Sequence, residues 1–217
     1  MDSNITSNMT SSAVSNPNTK LRKSFFKDHP KNVAPKLLGK FLVVNFENKR
    51  VVAKIVETES YGGKEDKACH VGRFGFTKRT APLFGEIGRA YVYSVYINTY
   101  CLNIVAHKDN QAGGVLIRAL EPLEGIEEIL KNLNKTKDNY DLTKLLNGPG
   151  KLCKVLKINK DFSGEDLVEG KRAFIVEGEK IKDHQIIATP RINIPYAGIA
   201  KKWKWRFIIK DSKFLSR

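Results

Sequence analysis

Five short apolar stretches rich in β-branched residues constrain the fold more than any other feature of this 217-residue chain. They cover residues 40–46, 51–59, 90–96, 100–106 and 115–120, with turn-forming residues between most of them. Stretches of this length and composition are typical of β-strands. The same signals predict three further strands at 172–176, 185–188 and 205–209.

Two segments have the spacing of helices instead. Residues 122–133 carry apolar side chains three or four positions apart, and residues 150–156 suggest a shorter helix. Strands grouped early in the chain with helices interspersed indicate an α+β fold with a mostly antiparallel sheet. We expect one domain over residues 21–217, preceded by a disordered tail rich in Ser and Asn over residues 1–20.

The charge balance favours a polyanionic partner. Lys and Arg total 38 against 23 Asp and Glu, which gives a formal net charge of +15. Nucleic acid is the first candidate for such a surface. The alternative is an ordinary soluble protein from a proteome rich in Lys and Asn, because charge alone identifies no activity.

The compartment follows from cysteine usage and hydropathy. Cys69, Cys101 and Cys153 are far apart and form no metal-ligand pattern, so we expect reduced, structural thiols. No apolar run has the length of a membrane span. We therefore expect an intracellular protein, in the bacterial cytoplasm and nucleoid or in a eukaryotic nucleus.

Two glutamates stand at the end of an apolar strand face. Alternation along the second predicted strand places Glu57, Glu59 and Tyr61 on the face that begins with Val51 and includes Ile55. A carboxylate beside a pocket can act as a base when a cationic neighbour keeps it charged. The alternative is that both glutamates are solvated at a sheet edge or paired with Lys.

Two further polar residues interrupt apolar strands. Arg118 lies within Val-Leu-Ile-Arg-Ala-Leu, where an unpaired guanidinium would be costly to bury. Its candidate acid partners are Glu57, Glu59 and Glu121, in either a structural or a catalytic pair. Asn103 is either a satisfied core amide or a pocket group that reads a ligand edge.

The fourth strand is predicted to follow the third through a tight turn around Asn98, which places Tyr96 and Ile97 at a hairpin tip. Proteins that distort DNA insert apolar side chains of this kind between base steps. The alternative is that the tip packs on the tail or on a helix. Likewise, Tyr61, His70 and Tyr93 are either stacking groups for a base or core residues.

Together these residues resemble the alkyladenine (3-methyladenine) DNA glycosylases of the mammalian type, also called methylpurine glycosylases. The resemblance runs from about Leu37 to Phe207. It is carried by several ordered motifs at matching separations, namely Glu57-Thr-Glu-Ser-Tyr61, Ala68-Cys-His70, Tyr91-Val-Tyr93, Tyr100-Cys-Leu-Asn103, Leu116-Ile-Arg-Ala-Leu-Glu-Pro-Leu-Glu-Gly125 and Gly148-Pro-Gly-Lys-Leu-Cys153.

The resemblance implies a monofunctional DNA glycosylase of base excision repair, with a single α+β domain, a curved antiparallel sheet and a protruding hairpin. Such an enzyme flips alkylated or deaminated purines from duplex DNA and hydrolyses the N-glycosidic bond, leaving an abasic site. The implied lesions are 3-methyladenine, 7-methylguanine, hypoxanthine and ethenoadenine. The implied enzyme works as a monomer without metal or organic cofactor.

The resemblance also assigns roles to residues. Glu59 is implied as the general base and Arg118 as the group that helps to hold the attacking water. Tyr61 is implied to stack on one face of the flipped base, with His70 and Tyr93 against the other. Asn103 is implied to occupy the pocket floor, and Tyr96 is implied to fill the gap that the flipped base leaves in the duplex.

The chain departs from the family pattern at two places that bear on DNA contact. Ile97 follows the intercalating Tyr96 where the family usually has Gly, and Lys78 replaces a common Pro. From charge, the candidate phosphate contacts are Lys78, Arg79, Lys201, Lys202, Lys204 and Arg206. Two rival functions are a non-catalytic nucleic-acid-binding module and an RNA-acting domain.

Overall fold

The computed structural model describes residues 19–47, 49–136 and 140–216. Its sheet is antiparallel and curls into a half-barrel, which confirms the expected α+β class. The eight strands among these residues are β1 (Phe41–Phe46), β2 (Lys49–Tyr61), β3 (Ala90–Tyr96), β4 (Thr99–Val105), β5 (Gly114–Glu124), β6 (Ala173–Val176), β7 (Ile186–Thr189) and β8 (Arg206–Ile209). All eight predicted strands are present; β3 has the predicted boundaries and the boundaries of the other strands are shifted.

The sheet is organised around β2, whose 13 residues make it the longest strand of the described chain. The strand order is β3-β4-β5-β2-β1-β6. β8 also pairs with β2, through Glu57, Thr58 and Glu59, and β7 pairs with β8. The two glutamates therefore lie between β5 and β8 rather than at an open sheet edge.

In the described ranges, four α-helices and several 3-10 turns surround the sheet. The helices are α1 (Pro30–Lys36), α2 (His70–Phe74), α3 (Ile126–Asn132) and α4 (Pro149–Val155). The 3-10 turns are Lys23–Phe26, Gly63–Glu65, Ala81–Phe84, Leu142–Lys144, Lys160–Phe162, Asp183–Gln185 and Gly198–Lys202. None of the helices in the described ranges is long and apolar enough to cross a membrane.

The prediction of a helix over residues 122–133 is wrong for the first turn. Pro122 and Glu124 still pair with β2, so β5 continues to Glu124 and α3 begins only at Ile126. Gly125 separates the two elements with φ +77°, and a Cβ there would lie 2.3 Å from the carbonyl oxygen of Arg50. Strand pairing therefore overrides the helical spacing of this segment, and only glycine fits the junction.

A β-bulge corrects the predicted face of β2. The register with β5 shifts between Ile55 and Glu57 and again before Thr58. An extra residue reverses the alternation of side chains. Ile55 belongs to the main core cluster, and Thr58 also faces the core side, since its hydroxyl donates to the carbonyl oxygen of Ala34 in α1. The prediction that Ile55 shares a face with Glu57 and Glu59 is therefore wrong.

Large aliphatic side chains from the core face of the sheet pack against α1, α3 and α4. Ile55, Leu102 and Ile117 are fully buried there beside Leu37 and Ile129. Burying each such side chain contributes roughly 1.5 to 3 kcal/mol. This rigid layer supports the opposite face, from which the polar side chains of β2 and β5 project.

The predicted tail over residues 1–20 lies outside the described residues except for its last two positions. Thr19 accepts a backbone hydrogen bond from Glu177, and Lys20 forms a bridge with Val176. These two residues therefore make backbone contacts with the segment that contains Val176 and Glu177. The three cysteines are buried and free of disulfide bonds.

Candidate active site

A pocket of about 540 Å³ lies on the polar face of the sheet. It is bounded by β2 to β5, α2 and the loop around Ile192. Among the residues that line it are Tyr61, His70, Tyr93, Tyr96, Asn103 and Arg118. The fold therefore brings together the aromatic, amide and guanidinium groups that the sequence singled out, although they come from four strands and a helix.

Glu59 lies beneath this pocket and is fully buried. Its Oε2 accepts a hydrogen bond from the Tyr61 hydroxyl at 2.8 Å and another from Arg118 Nη1 at 3.2 Å. Its Oε1 accepts one from the backbone N–H of Ile192 at 2.8 Å. Three donors thus converge on this buried carboxylate, and both of its oxygens accept hydrogen bonds.

Glu57 is equally buried but is held differently. Its Oε1 accepts from Arg118 Nε at 3.0 Å, from Arg206 Nε at 2.6 Å and from the Ser216 hydroxyl at 2.8 Å. Its Oε2 accepts from the backbone N–H of Ser216 at 2.6 Å. Glu57 thus joins β2, β5, β8 and the segment that contains Ser216. Burial rules out the alternative in which both glutamates are solvated.

Arg118 connects the two glutamates. Its side chain is 6% exposed, and its guanidinium donates to Glu57, Glu59 and Ser216. Burial lowers the pKa of Arg118, but the adjacent carboxylates of Glu59 and Glu57 reverse that effect, and the net pKa is raised. The guanidinium is therefore permanently charged, and removing either carboxylate would leave it incompletely paired.

The aromatic residues of the pocket fall into two groups. His70 and Tyr93 lie edge to face with ring centroids 4.6 Å apart, and His70 Nδ1 is 2.9 Å from the Tyr91 hydroxyl. Burial, followed by the charges of Arg79 and Arg73, lowers the pKa of His70 to about 4. The imidazole is therefore neutral at physiological pH.

Tyr61 belongs to the other group, next to the buried carboxylate. Burial and the charge of Glu59 raise the pKa of its hydroxyl well above the usual value, so that it remains a proton donor in the hydrogen bond to Glu59. The guanidinium of Arg191 lies 4.9 Å from the centre of the Tyr61 ring. Asn103 is also buried, and its amide nitrogen donates to the carbonyl oxygen of Tyr91.

The hairpin between β3 and β4 carries its apolar tip in solvent. Tyr96 is 76% exposed and Ile97 is 93% exposed. The two-residue turn is made by Ile97 and Asn98, and Asn98 adopts φ +55°. This conformation is tolerated by Asn, which explains how the turn forms without the usual glycine. Within the part of the chain that the structure describes, the tip does not pack against the body of the protein.

The candidate phosphate contacts separate into two sets. Lys78, Arg79, Lys201, Lys202 and Lys204 are exposed, and Arg79 lines the pocket. Arg206 differs because its Nε pairs with buried Glu57 and its Nη1 donates to the Thr189 hydroxyl. We therefore withdraw Arg206 as a candidate phosphate contact.

Several groups at the site were not predicted from the sequence. The backbone N–H of Ile192 and the hydroxyl of Ser216 lie in irregular segments, where no periodicity identifies a face. Asp66 and Arg191 form a buried ion pair between two such segments. An acid and a base so far apart in sequence could not have been matched without the fold.

Arg73 was also missed because it looks like an ordinary surface charge. Its guanidinium lies 4.1 Å from the ring centre of Tyr196 and 4.8 Å from that of Phe74. Within residues 19–47, 49–136 and 140–216, neither Arg73 nor Arg79 forms an ion pair with a carboxylate, whereas Arg118 and Arg191 both do. Two unpaired cations thus lie near the mouth of the pocket.

Comparison with known proteins identifies the family of this chain. The family model described as "Methylpurine-DNA glycosylase (MPG)" matches residues 24–213. A protein of Clostridium botulinum (strain Langeland), named "Putative 3-methyladenine DNA glycosylase", is 43% identical over 201 residues, which cover 91% of this chain and 98% of the relative. A protein of the same name from Clostridium perfringens (strain 13) is 41% identical over 203 residues, covering 91% and 99%. The chain belongs to the methylpurine-DNA glycosylase family and is a DNA glycosylase.

Proposed function

We propose that this enzyme flips a damaged purine from duplex DNA into the pocket and hydrolyses its N-glycosidic bond with a water that Glu59 activates. The substrates are alkylated or deaminated purines, namely 3-methyladenine, 7-methylguanine, hypoxanthine and ethenoadenine. The enzyme acts as a monomer and needs no metal or organic cofactor. The observation that carries the proposal is the convergence of Tyr61, Arg118 and Ile192 on the buried carboxylate of Glu59.

The chemistry requires a base and little else for an alkylated purine. Methylation at N3 of adenine or N7 of guanine gives the purine a positive charge, so that it leaves as a neutral molecule. The oxygen of water bonds to C1′ while the C1′–N bond breaks and its electron pair leaves with the purine. The proton of the water passes to Glu59. Arg118 holds the water and balances the charge of Glu59 before transfer.

The aromatic pocket supplies selectivity before the bond breaks. Tyr61 stacks on one face of the extruded purine, with His70 and Tyr93 against the other. Electron-rich ring faces favour a cationic base, and neutral His70 adds no repelling charge. Asn103 at the pocket floor disfavours normal guanine. Flipping costs a few kcal/mol, least for a damaged or weakly paired base.

The DNA backbone binds across the exposed cations around the pocket. The contacts to phosphates are Lys78, Arg79, Lys201, Lys202 and Lys204, and we add Arg73 to them. Tyr96 fills the gap left in the duplex, with Ile97 beside it at the hairpin tip. These contacts are independent of sequence, as expected for an enzyme that must inspect any site.

Two rivals considered from sequence are not supported. A non-catalytic module and an RNA-acting domain would both account for the basic surface. The family match covers 24–213 and therefore nearly all the described chain, and it identifies a DNA glycosylase. The basic surface is thus interpreted as a DNA-binding surface.

Replacing Glu59 tests the mechanism. In Glu59→Gln the amide keeps the shape of the side chain but accepts no proton, so base release should slow by about 10²-fold or more. The assay is release of free hypoxanthine or 3-methyladenine from a duplex under single-turnover conditions, with binding measured separately. Glu124→Gln, on an exposed glutamate of β5 paired with Arg50, is the matched control. A near-normal rate in Glu59→Gln would remove Glu59 from the role.

A further inference from the structure

Ser216 occupies the junction between the buried acids and Arg118, in the irregular segment that follows β8. Its hydroxyl donates to Glu57 Oε1 at 2.8 Å and accepts from Arg118 Nε and Nη2, both at 3.2 Å. A serine hydroxyl has one donor and two acceptor positions. All three are used here, and Ser216 also lines the pocket.

The contacts of Ser216 divide the guanidinium of Arg118 into two functional edges. Nε and Nη2 point to the Ser216 hydroxyl, while Nη1 points to Glu59. Nε has a second partner in Glu57, but Nη2 has only Ser216 within the described part of the chain. Because a guanidinium is a rigid plane, fixing one edge fixes the direction of the other.

We infer that Ser216 is a positioning residue for base excision, which acts through Arg118 and not by touching the substrate. This inference rests on the roles proposed above for Glu59 and Arg118. Without the hydroxyl, Nη2 loses its partner and Nε keeps only Glu57, so fewer contacts fix the plane of the guanidinium. The Nη1 group then no longer stays aligned with Glu59, and the water between them is held less well.

A purely structural role makes a different prediction. The backbone N–H of Ser216 donates to Glu57 Oε2 at 2.6 Å, and this bond does not depend on the side chain. Ser216→Ala therefore keeps the segment attached to β2 while removing the three hydroxyl contacts. If the hydroxyl only anchored the segment, its loss would lower stability and would leave the rate of the folded enzyme unchanged.

The experiment compares Ser216→Ala with Ser212→Ala. Ser212 lies in the same segment, and among the described residues its hydroxyl accepts only from the backbone N–H of Phe214. For Ser216→Ala we expect single-turnover base release to slow by between about 10-fold and 100-fold, the scale of a misaligned catalytic group. The concentration of damaged duplex that half-saturates Ser216→Ala should change little. Ser212→Ala should keep the wild-type rate. Ser216→Thr, which retains the hydroxyl, should recover most of the lost rate.

The outcomes separate this inference from the proposed function. A wild-type rate in folded Ser216→Ala, or an equal loss in Ser212→Ala, would overturn the role of Ser216 and leave Glu59 untouched. Failure of folded Ser216→Thr to recover the rate would also count against the hydroxyl. By contrast, a wild-type rate in Glu59→Gln, measured in the same assay, would refute the proposed mechanism itself, whatever Ser216→Ala does.

Discussion

The Asp66–Arg191 ion pair offers a quantitative test, because neither side chain is exposed at all. Asp66 accepts from Arg191 Nη1 at 2.5 Å and from Nη2 at 2.8 Å. The backbone N–H groups of Gly62 and Ala68 donate to the same carboxylate. Arg191 also precedes Ile192, whose N–H binds Glu59. The pair therefore supports the site as well as the fold.

Asp66→Asn keeps the shape of the side chain and removes its charge. Arg191 would then be a buried cation without a counter-ion, and breaking a buried pair in this way costs about 3 to 5 kcal/mol. In a protein of this size, 1 kcal/mol corresponds to about 2 to 4 °C in Tm. We therefore expect Tm to fall by about 6 to 20 °C.

Thermal unfolding followed by calorimetry measures this change. The matched control is Asp109→Asn, because Asp109 pairs with Lys27 but is 75% exposed. An exposed pair of this kind contributes about 0 to 1 kcal/mol, so Tm should fall by no more than about 4 °C in the control. If Asp66→Asn lowered Tm no more than the control does, the reasoning from burial would be wrong.

Two other perturbations test the DNA contact and the pocket. Tyr96→Ala should weaken binding to a damaged duplex at fixed salt by about 1 to 3 kcal/mol, the scale of aromatic stacking. Ile187→Ala, on exposed β7, should bind like the wild type, and equal affinity of Tyr96→Ala and the wild type would argue against insertion of Tyr96 into the duplex. Because the pKa of His70 is lowered to about 4 from 6.5, the unfolded chain takes up this proton first, and stability falls as pH decreases from about 6.5 to 4. In His70→Gln, Tm should therefore fall less between about pH 7 and 5 than in the wild type, whereas His184→Gln on the surface should follow the wild type. If Tm fell equally with pH in His70→Gln and in the wild type, the lowered pKa of His70 would be refuted.

Strand positions were predictable because their signals are local. β3 has the predicted bounds, and β2 was found from its run of β-branched residues. The need of Arg118 for an acidic partner was also predictable from local sequence, since an unpaired guanidinium inside an apolar strand is costly. Glu57 and Glu59 were among the candidate partners, and both pair with Arg118 in the structure.

Relationships that depend on three dimensions were not predictable. Periodicity places Ile55 and Glu59 on one face, and only pairing with β5 reveals the bulge that separates them. The segment before Ile126 has helical spacing, but its partner strand holds it extended. Ser216 carries no sequence signal, because the role that we infer for it depends on contacts to residues more than 90 positions away.

The distances in sequence around Glu57 have a consequence for synthesis of the protein. Arg118 is made 61 residues after Glu57, Arg206 149 residues after it, and Ser216 159 residues after it. A growing chain therefore carries Glu57 through the synthesis of 159 further residues before all of these cations and donors have been made. The site that we propose as the catalytic centre is thus assembled only once residue 216 has been added, and a chain interrupted before residue 206 would lack both Arg206 and Ser216.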